Sequence, residues 1–199
     1  MQFGLVGSEM CIRDSLKTDR PQLAATIMGR ANALITSFNA SPGQVLVVAS
    51  DQRGSYVGES KNFASFKGAE AYQLQEDNEI LPTLAEKKLV AAGKDISQGG
   101  IIGTSIMLAE SSKVGIEIDP LSLNYPDHNL EKWLTAFPSF GFLLSVSQEN
   151  VTEVLSAFQN RSIDACMAGR IVEGTSVSLV ENDNRHQVWD HSTKPYLGI

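Results

Sequence analysis

Residues 94–110 read Lys-Asp-Ile-Ser-Gln-Gly-Gly-Ile-Ile-Gly-Thr-Ser-Ile-Met-Leu-Ala-Glu, and no other stretch limits the possible folds as tightly. A carboxylate at Asp95 and a hydroxyl at Ser97 precede two glycines, and an apolar segment with helical spacing then runs to about residue 112. This pattern describes a loop that opens a helix with its first backbone N–H groups unshielded, a place to hold an anion. Glycines let the main chain approach a phosphate closely, while Asp95 offers a hard oxygen to magnesium or an acceptor to the helix start. An ordinary helix cap uses the same residue types, so both readings stay open at this point. The candidate phosphate-binding residues are Ser97, Gly99, Gly100 and Lys94, with Asp95 as candidate metal ligand.

The chain has 199 residues, enough for one full domain with a buried core and a piece of another. A formal charge of −7 without long runs of one sign argues against nucleic acid as a partner, so any phosphate is bound locally, by loop amides and a cation. Cys11 and Cys166 sit in unlike contexts, which predicts no disulfide and a reducing, cytoplasmic setting. Cys166 reads as a buried strand residue. No apolar run has membrane-spanning length, the N-terminus lacks a secretory pattern, and His128, His186 and His191 have no metal-ligand spacing.

Residues 22–28 are compatible with a strand, 31–38 with a short helix, and 44–50 with a strand buried on both faces, because its apolar residues are continuous. Asp51 and Arg53 follow that strand, at the end of a sheet where ligands usually sit, and are secondary site candidates; a surface ion pair on a turn is the plainer alternative. Residues 56–78 read as a long loop with some helix, suggestive of a lid. An amphipathic helix is expected over 80–92, ended by Gly93, with the glycine-rich loop next. Then come a strand over 114–119, a helix over 130–137, a strand over 141–146 and a helix over 149–160. Strands over 163–171 and 176–180 and one including 187–189 complete the order. Interleaved strands and helices of this kind indicate an α/β fold, an α+β sandwich.

With Asp95-Ile-Ser97-Gln-Gly99-Gly100 read between two helices, the chain resembles the aminoimidazole ribonucleotide (AIR) synthase superfamily. The segments Ala109-Glu-Ser-Ser-Lys-Val-Gly115 and Phe137-Pro-Ser-Phe-Gly-Phe142 stand in the family's order. So does the strand, helix, strand, turn, strand run over 141–174. The family includes AIR synthase, formylglycinamidine ribonucleotide synthetase, thiamine-monophosphate kinase, selenophosphate synthetase and a hydrogenase maturation factor. The likeness covers roughly residues 23–174, and Asp51-Gln-Arg53-Gly54, Lys94 and Trp133 look closest to an AIR synthase-related branch. It implies an AIR synthase C-terminal-domain-like fold over residues 31–199, with ATP and magnesium as cofactors, a small-molecule substrate and a homodimer when intact.

Such proteins pair this domain with an N-terminal ferredoxin-like domain carrying an acidic Gly-Asp-Asp type motif, which has no match here. Residues 16–30 are therefore expected to be the remnant of a truncated N-terminal domain. Residues 9–15, Glu-Met-Cys-Ile-Arg-Asp-Ser, match the translation of a transposon end used in sequencing libraries, so residues 1–15 are expected to be a non-native artefact. The resemblance carries over only to Asp95, Ser97, Gly99 and Gly100, and Gln98 stands where several relatives have Asp or Gly. Two functions follow. One is an intact ATP-dependent enzyme to which this domain contributes a phosphate loop, the fragment itself being inactive; the other is a non-catalytic ligand-binding or scaffold module acting through a partner domain.

Overall fold

The computed structural model describes Thr26, residues 28–182 and residues 184–198. The chain forms two compact units, Met1–Asn32 and Ala33–Ile199. The expectations for residues 1–15 lie outside the described residues, as do those for 16–30 except at Thr26 and residues 28–30, which stand in no strand.

In the second unit a sheet forms from β1 (Val45–Ser50), β4 (Ala92–Asp95), β5 (Gly115–Ile118), β7 (Gly141–Val146), β8 (Asp164–Val172), β9 (Ser176–Glu181) and β10 (Asn184–Asp190). Its order is β10-β9-β5-β8-β1-β7-β4, antiparallel except for the parallel pair β5 and β9. The short strands β2 (Ser55–Tyr56), β3 (Asn62–Ala64) and β6 (Phe137–Pro138) form a second, three-stranded sheet. The helices are α1 (Ala71–Asn78), α2 (Ile80–Glu86), α3 (Gly100–Ser112), α4 (Leu130–Leu134) and α5 (Val151–Gln159).

Side-chain alternation along β1 explains the layering. Leu46 and Val48 enter one apolar cluster with Ile101, Ile106 and Leu108 of α3. Val45, Val47 and Ala49 enter another with Leu84 of α2 and Val154 and Phe158 of α5. Helices thus cover both faces of a sheet whose central strand must be apolar throughout. The expected α+β sandwich is the observed fold.

Several local expectations differ. Residues 31–38 form no helix, and residues 56–78, read as a long loop with some helix, are loop and helix α1 with the short strands β2 and β3 added at their start. The amphipathic stretch ends at Glu86, and Gly93 lies inside β4 instead of capping a helix. A Cβ at Gly93 would stand 2.8 Å from both Ile35 Cγ2 and Leu144 Cδ2, so glycine is kept there by packing. The glycine-rich loop therefore joins a strand to a helix, not two helices. Helix α3 ends at Lys113, whose φ of 57° is left-handed, a common helix stop. All of β5 is buried, although its sequence alternates, because Glu117 on the polar side is covered by Arg170 at 2.6 Å and Arg185 at 2.8 Å. Cys166 is half-buried on β8, and burial first, then the charge of Asp164, pushes its thiol up to about 12. No helix among the described residues is long and apolar enough to cross a membrane.

Candidate functional site

Strand β4 is an edge strand paired with β7, Lys94 opposite Leu143 and Asp95 opposite Phe142. The Ile96 N–H donates to the Gly141 carbonyl at 2.9 Å, so the chain keeps its register up to the loop. Ile96 then buries its side chain under α3, which brings the loop over the sheet end. Ser97 is 4% exposed; its N–H donates to Thr104 Oγ1 at 3.2 Å and its carbonyl accepts from the Gly100 N–H at 2.8 Å. The Ser97 hydroxyl makes no hydrogen bond among the described residues.

Gly100 stands at φ +67°, and a Cβ there would lie 2.4 Å from the Leu134 carbonyl oxygen. Its role is conformational: it turns the chain into α3 while its own amide closes the turn on Ser97. Gly99 has an ordinary φ of −78°, and its carbonyl accepts from the Gly103 N–H at 2.9 Å. The N–H groups of Gly99, Ile101 and Ile102 have no hydrogen-bond partner among the described residues. Free amides at the start of an α-helix carry partial positive charge and suit a phosphate. The polar groups left without a partner among the described residues at this helix start are thus the N–H groups of Gly99, Ile101 and Ile102 and the Ser97 hydroxyl, whereas the Gly100 amide, which the residue pattern had singled out, is taken up by the turn to Ser97.

Asp95 has 60% of its side chain exposed, and Lys94 Nζ lies 3.7 Å from its Oδ1. Lys94 sits in β4 and is partly buried. Among the described residues no group of three or more His, Cys, Asp or Glu side chains could hold a metal. Asp95 is the one carboxylate of the loop that could offer an oxygen to a magnesium ion.

Asp51 and Arg53 lie at the same end of the sheet as the loop, but among the described residues their side-chain hydrogen bonds are with each other, Asp77 and Arg161, and not with the loop. The Asp51 N–H donates to the Phe140 carbonyl at 3.0 Å, one strand from Ile96, yet by the alternation of β1 the Asp51 side chain points to the α2/α5 face. There Arg53 Nε and Nη2 grip Asp51 at 2.8 and 2.9 Å, and Nη2 reaches Asp77 Oδ2 of α1 at 2.6 Å. Arg161, just past α5, holds the other Asp77 oxygen at 3.0 Å and Glu76 at 2.7 Å. Both aspartates are 2% exposed. Hydrogen bonding to Asp51 first, and to Asp77 less, raises the Arg53 pKa above its ordinary value against the lowering effect of burial. This is a buried bracket that ties β1, α1 and the end of α5 together. It also fastens α1, the last part of the stretch read as a lid, to β1 and the end of α5. Sequence reasoning missed Asp77 and Arg161; the only available signal was an aspartate in a short polar helix that has to pack on an apolar core.

A separate surface cleft of about 420 Å³ opens between β5, β8 and β9, with Glu117, Gly169, Arg170 and Val180 in its wall, on the far side of the sheet from β4.

Residues 41–182 match the family model for AIR synthase related protein, C-terminal domain. The chain is 38% identical over 184 residues to an uncharacterised protein of Synechocystis, covering 89% of this chain and 56% of that one. It spans about half the length of the curated relatives it matches. Its fold is similar to that of T. maritima PurL complexed with ATP, with a TM-score of 0.64 at 16% identity over 81% of this chain and 27% of that one. It is also similar to E. coli HypE, a hydrogenase maturation protein, with a TM-score of 0.60 at 18% identity over 83% of this chain and 55% of that one.

Proposed function

Since the chain belongs to the AIR synthase related family and carries its C-terminal domain, we propose that it supplies the phosphate-gripping half of an ATP-dependent enzyme. The reading rests on one observation: free amides at Gly99, Ile101 and Ile102 stand beside an uncommitted Ser97 hydroxyl at a strand-to-helix junction. In this reading those donors hold phosphate oxygens of ATP or of a phosphorylated small-molecule substrate, and Lys94 adds positive charge. Asp95 gives one ligand to magnesium, which neutralises the transferred group. ATP is a reasonable guest because the similar T. maritima PurL was solved with it. The loop's single carboxylate leaves the remaining ligands and the substrate pocket to a further domain, for which the longer relatives have room. A homodimer of the intact protein belongs to the same reading.

The test is ATP hydrolysis by the intact protein compared with Asp95→Asn and Ser97→Ala. A loss of tenfold or more in each variant is expected, since removal of a transition-state donor has that scale. Unchanged turnover in both variants shows the loop assignment to be wrong.

A second reading is a ligand-binding module that acts through a partner protein. The lone carboxylate favours it, and similar structures were solved as assemblies, a HypE-HypF complex and PurLQS. ATP binding without turnover by the intact protein selects this reading.

A further inference from the structure

Residues 184–198 lie beyond the 41–182 span of the family domain; residues 184–190 form β10 against β9, and the chain after them reaches α3. Glu110, 5% exposed in the last part of α3, receives three consecutive main-chain amides of the tail. The Tyr196 N–H donates to Oε2 at 2.6 Å, Leu197 to both oxygens at 3.1 Å, and Gly198 to Oε1 at 2.9 Å. Charge-assisted bonds of this kind are about twice as strong as neutral ones, so the tail is fastened at this point.

The Tyr196 ring is fixed as well. It meets Trp189 of β10 edge-on, with centroids 5.7 Å apart and planes at 86°, and Trp189 Nε1 donates to the Lys194 carbonyl at 2.8 Å. A glutamate side chain on a helix leans toward the N-terminus, so the tail lies over the earlier turns of α3. A Cβ built on Gly103 would stand 3.9 Å from Tyr196 Oη. Gly103 is roughly 4.5 Å of helix rise from Gly100. Measured along the helix axis, the Tyr196 hydroxyl therefore lies within about one turn of the free amides; it has no hydrogen-bond partner among the described residues and belongs to a residue 47% exposed.

We infer that Tyr196 is a further ligand-contacting residue: its hydroxyl donates to a phosphate oxygen held at the start of α3, and residues 184–198 are the strap that sets it there. The inference rests on the phosphate-loop reading above. A ring that merely covers Gly103 would serve equally well as phenylalanine, whereas a donor would not.

The experiment titrates the intact protein calorimetrically with magnesium-ATP, using Tyr196→Phe and Asp95→Ala variants, and records the melting temperature of each. The expected result is weakening of five- to tenfold for Tyr196→Phe at an unchanged melting temperature, together with weakening for Asp95→Ala. Weakening by Asp95→Ala with full affinity in Tyr196→Phe overturns the role of Tyr196 and leaves the loop standing. Wild-type affinity in both variants, or no binding by the wild-type protein, overturns both.

Discussion

Gly100 presses so closely on Leu134 that a Cβ at position 100 would fall 2.4 Å from the Leu134 carbonyl oxygen, and its φ of +67° belongs to the left-handed region. Both facts act against any L side chain there. Gly100→Ala is expected to destabilise the protein by more than about 2 kcal/mol, combining backbone strain with a main-chain clash. Gly103→Ala is the contrast, since nothing but Tyr196 Oη at 3.9 Å approaches its Cβ position. There the gain in helix propensity should stabilise by about 0.5–1 kcal/mol. Urea denaturation of the two variants measures both.

Arg53 joins two aspartates that are each 2% exposed, so its removal strands buried charge. Arg53→Ala is expected to cost about 3 kcal/mol, the low end for breaking a buried pair, because Asp77 keeps Arg161 and Asp51 keeps the residue-53 N–H. Adding Asp77→Asn should cost much less in the Arg53→Ala background than alone, a coupling that a double-mutant cycle in urea detects.

Glu110→Ala deprives the amides of residues 196–198 of their acceptor. The expected loss is about 2–4 kcal/mol in local stability, from several hydrogen bonds to one charged group. Amide hydrogen exchange of the tail should speed up far more than that of β1, which reports the sheet. Equal acceleration in both places contradicts a local fastening.

How far the sequence could be read depended on how local each cause was. The run Val45-Leu-Val-Val-Ala49 announced a strand covered on both faces, and Val151, Val154 and Phe158 announced one apolar helix stripe; each signal needs only its own segment. Gly93 was misread as a helix stop because its true constraint, contact with Ile35 and Leu144, comes from distant parts of the chain. The loop at 95–100 was legible as the opening of a helix with unshielded amides, but which amides are free was not, since that depends on the Gly100 turn back to Ser97. Pairing across 86 residues put Tyr196 beside Glu110 beyond any pattern rule; a carboxylate in an otherwise apolar helix was its only trace.

Two aspartates should shape the pH dependence in opposite directions. Burial raises the Asp164 carboxyl above its ordinary value, against a smaller lowering by the Asn124 hydrogen bond. Its contribution to stability is fully present below that ordinary value and is lost as pH rises through the raised one. Asp164→Asn should therefore gain on the wild type as pH rises through this window. Hydrogen bonds from Ser192 and then Thr175 lower Asp190, so its contribution is present above the ordinary value and lost as pH falls through the depressed one. The deficit of Asp190→Asn should accordingly vanish in acid. Denaturant midpoints followed from acid to neutral pH separate the two.

The most direct measurement is a backbone amide NMR titration of the intact protein with magnesium-ATP. The predicted result is that the largest shifts fall on Gly99, Ile101 and Ile102, whose N–H groups have no partner among the described residues, with smaller ones at Asp95 and Ser97. Shifts concentrated instead around Glu117, Gly169 and Arg170 in the cleft, or no shifts at the start of α3, would contradict the phosphate-loop account.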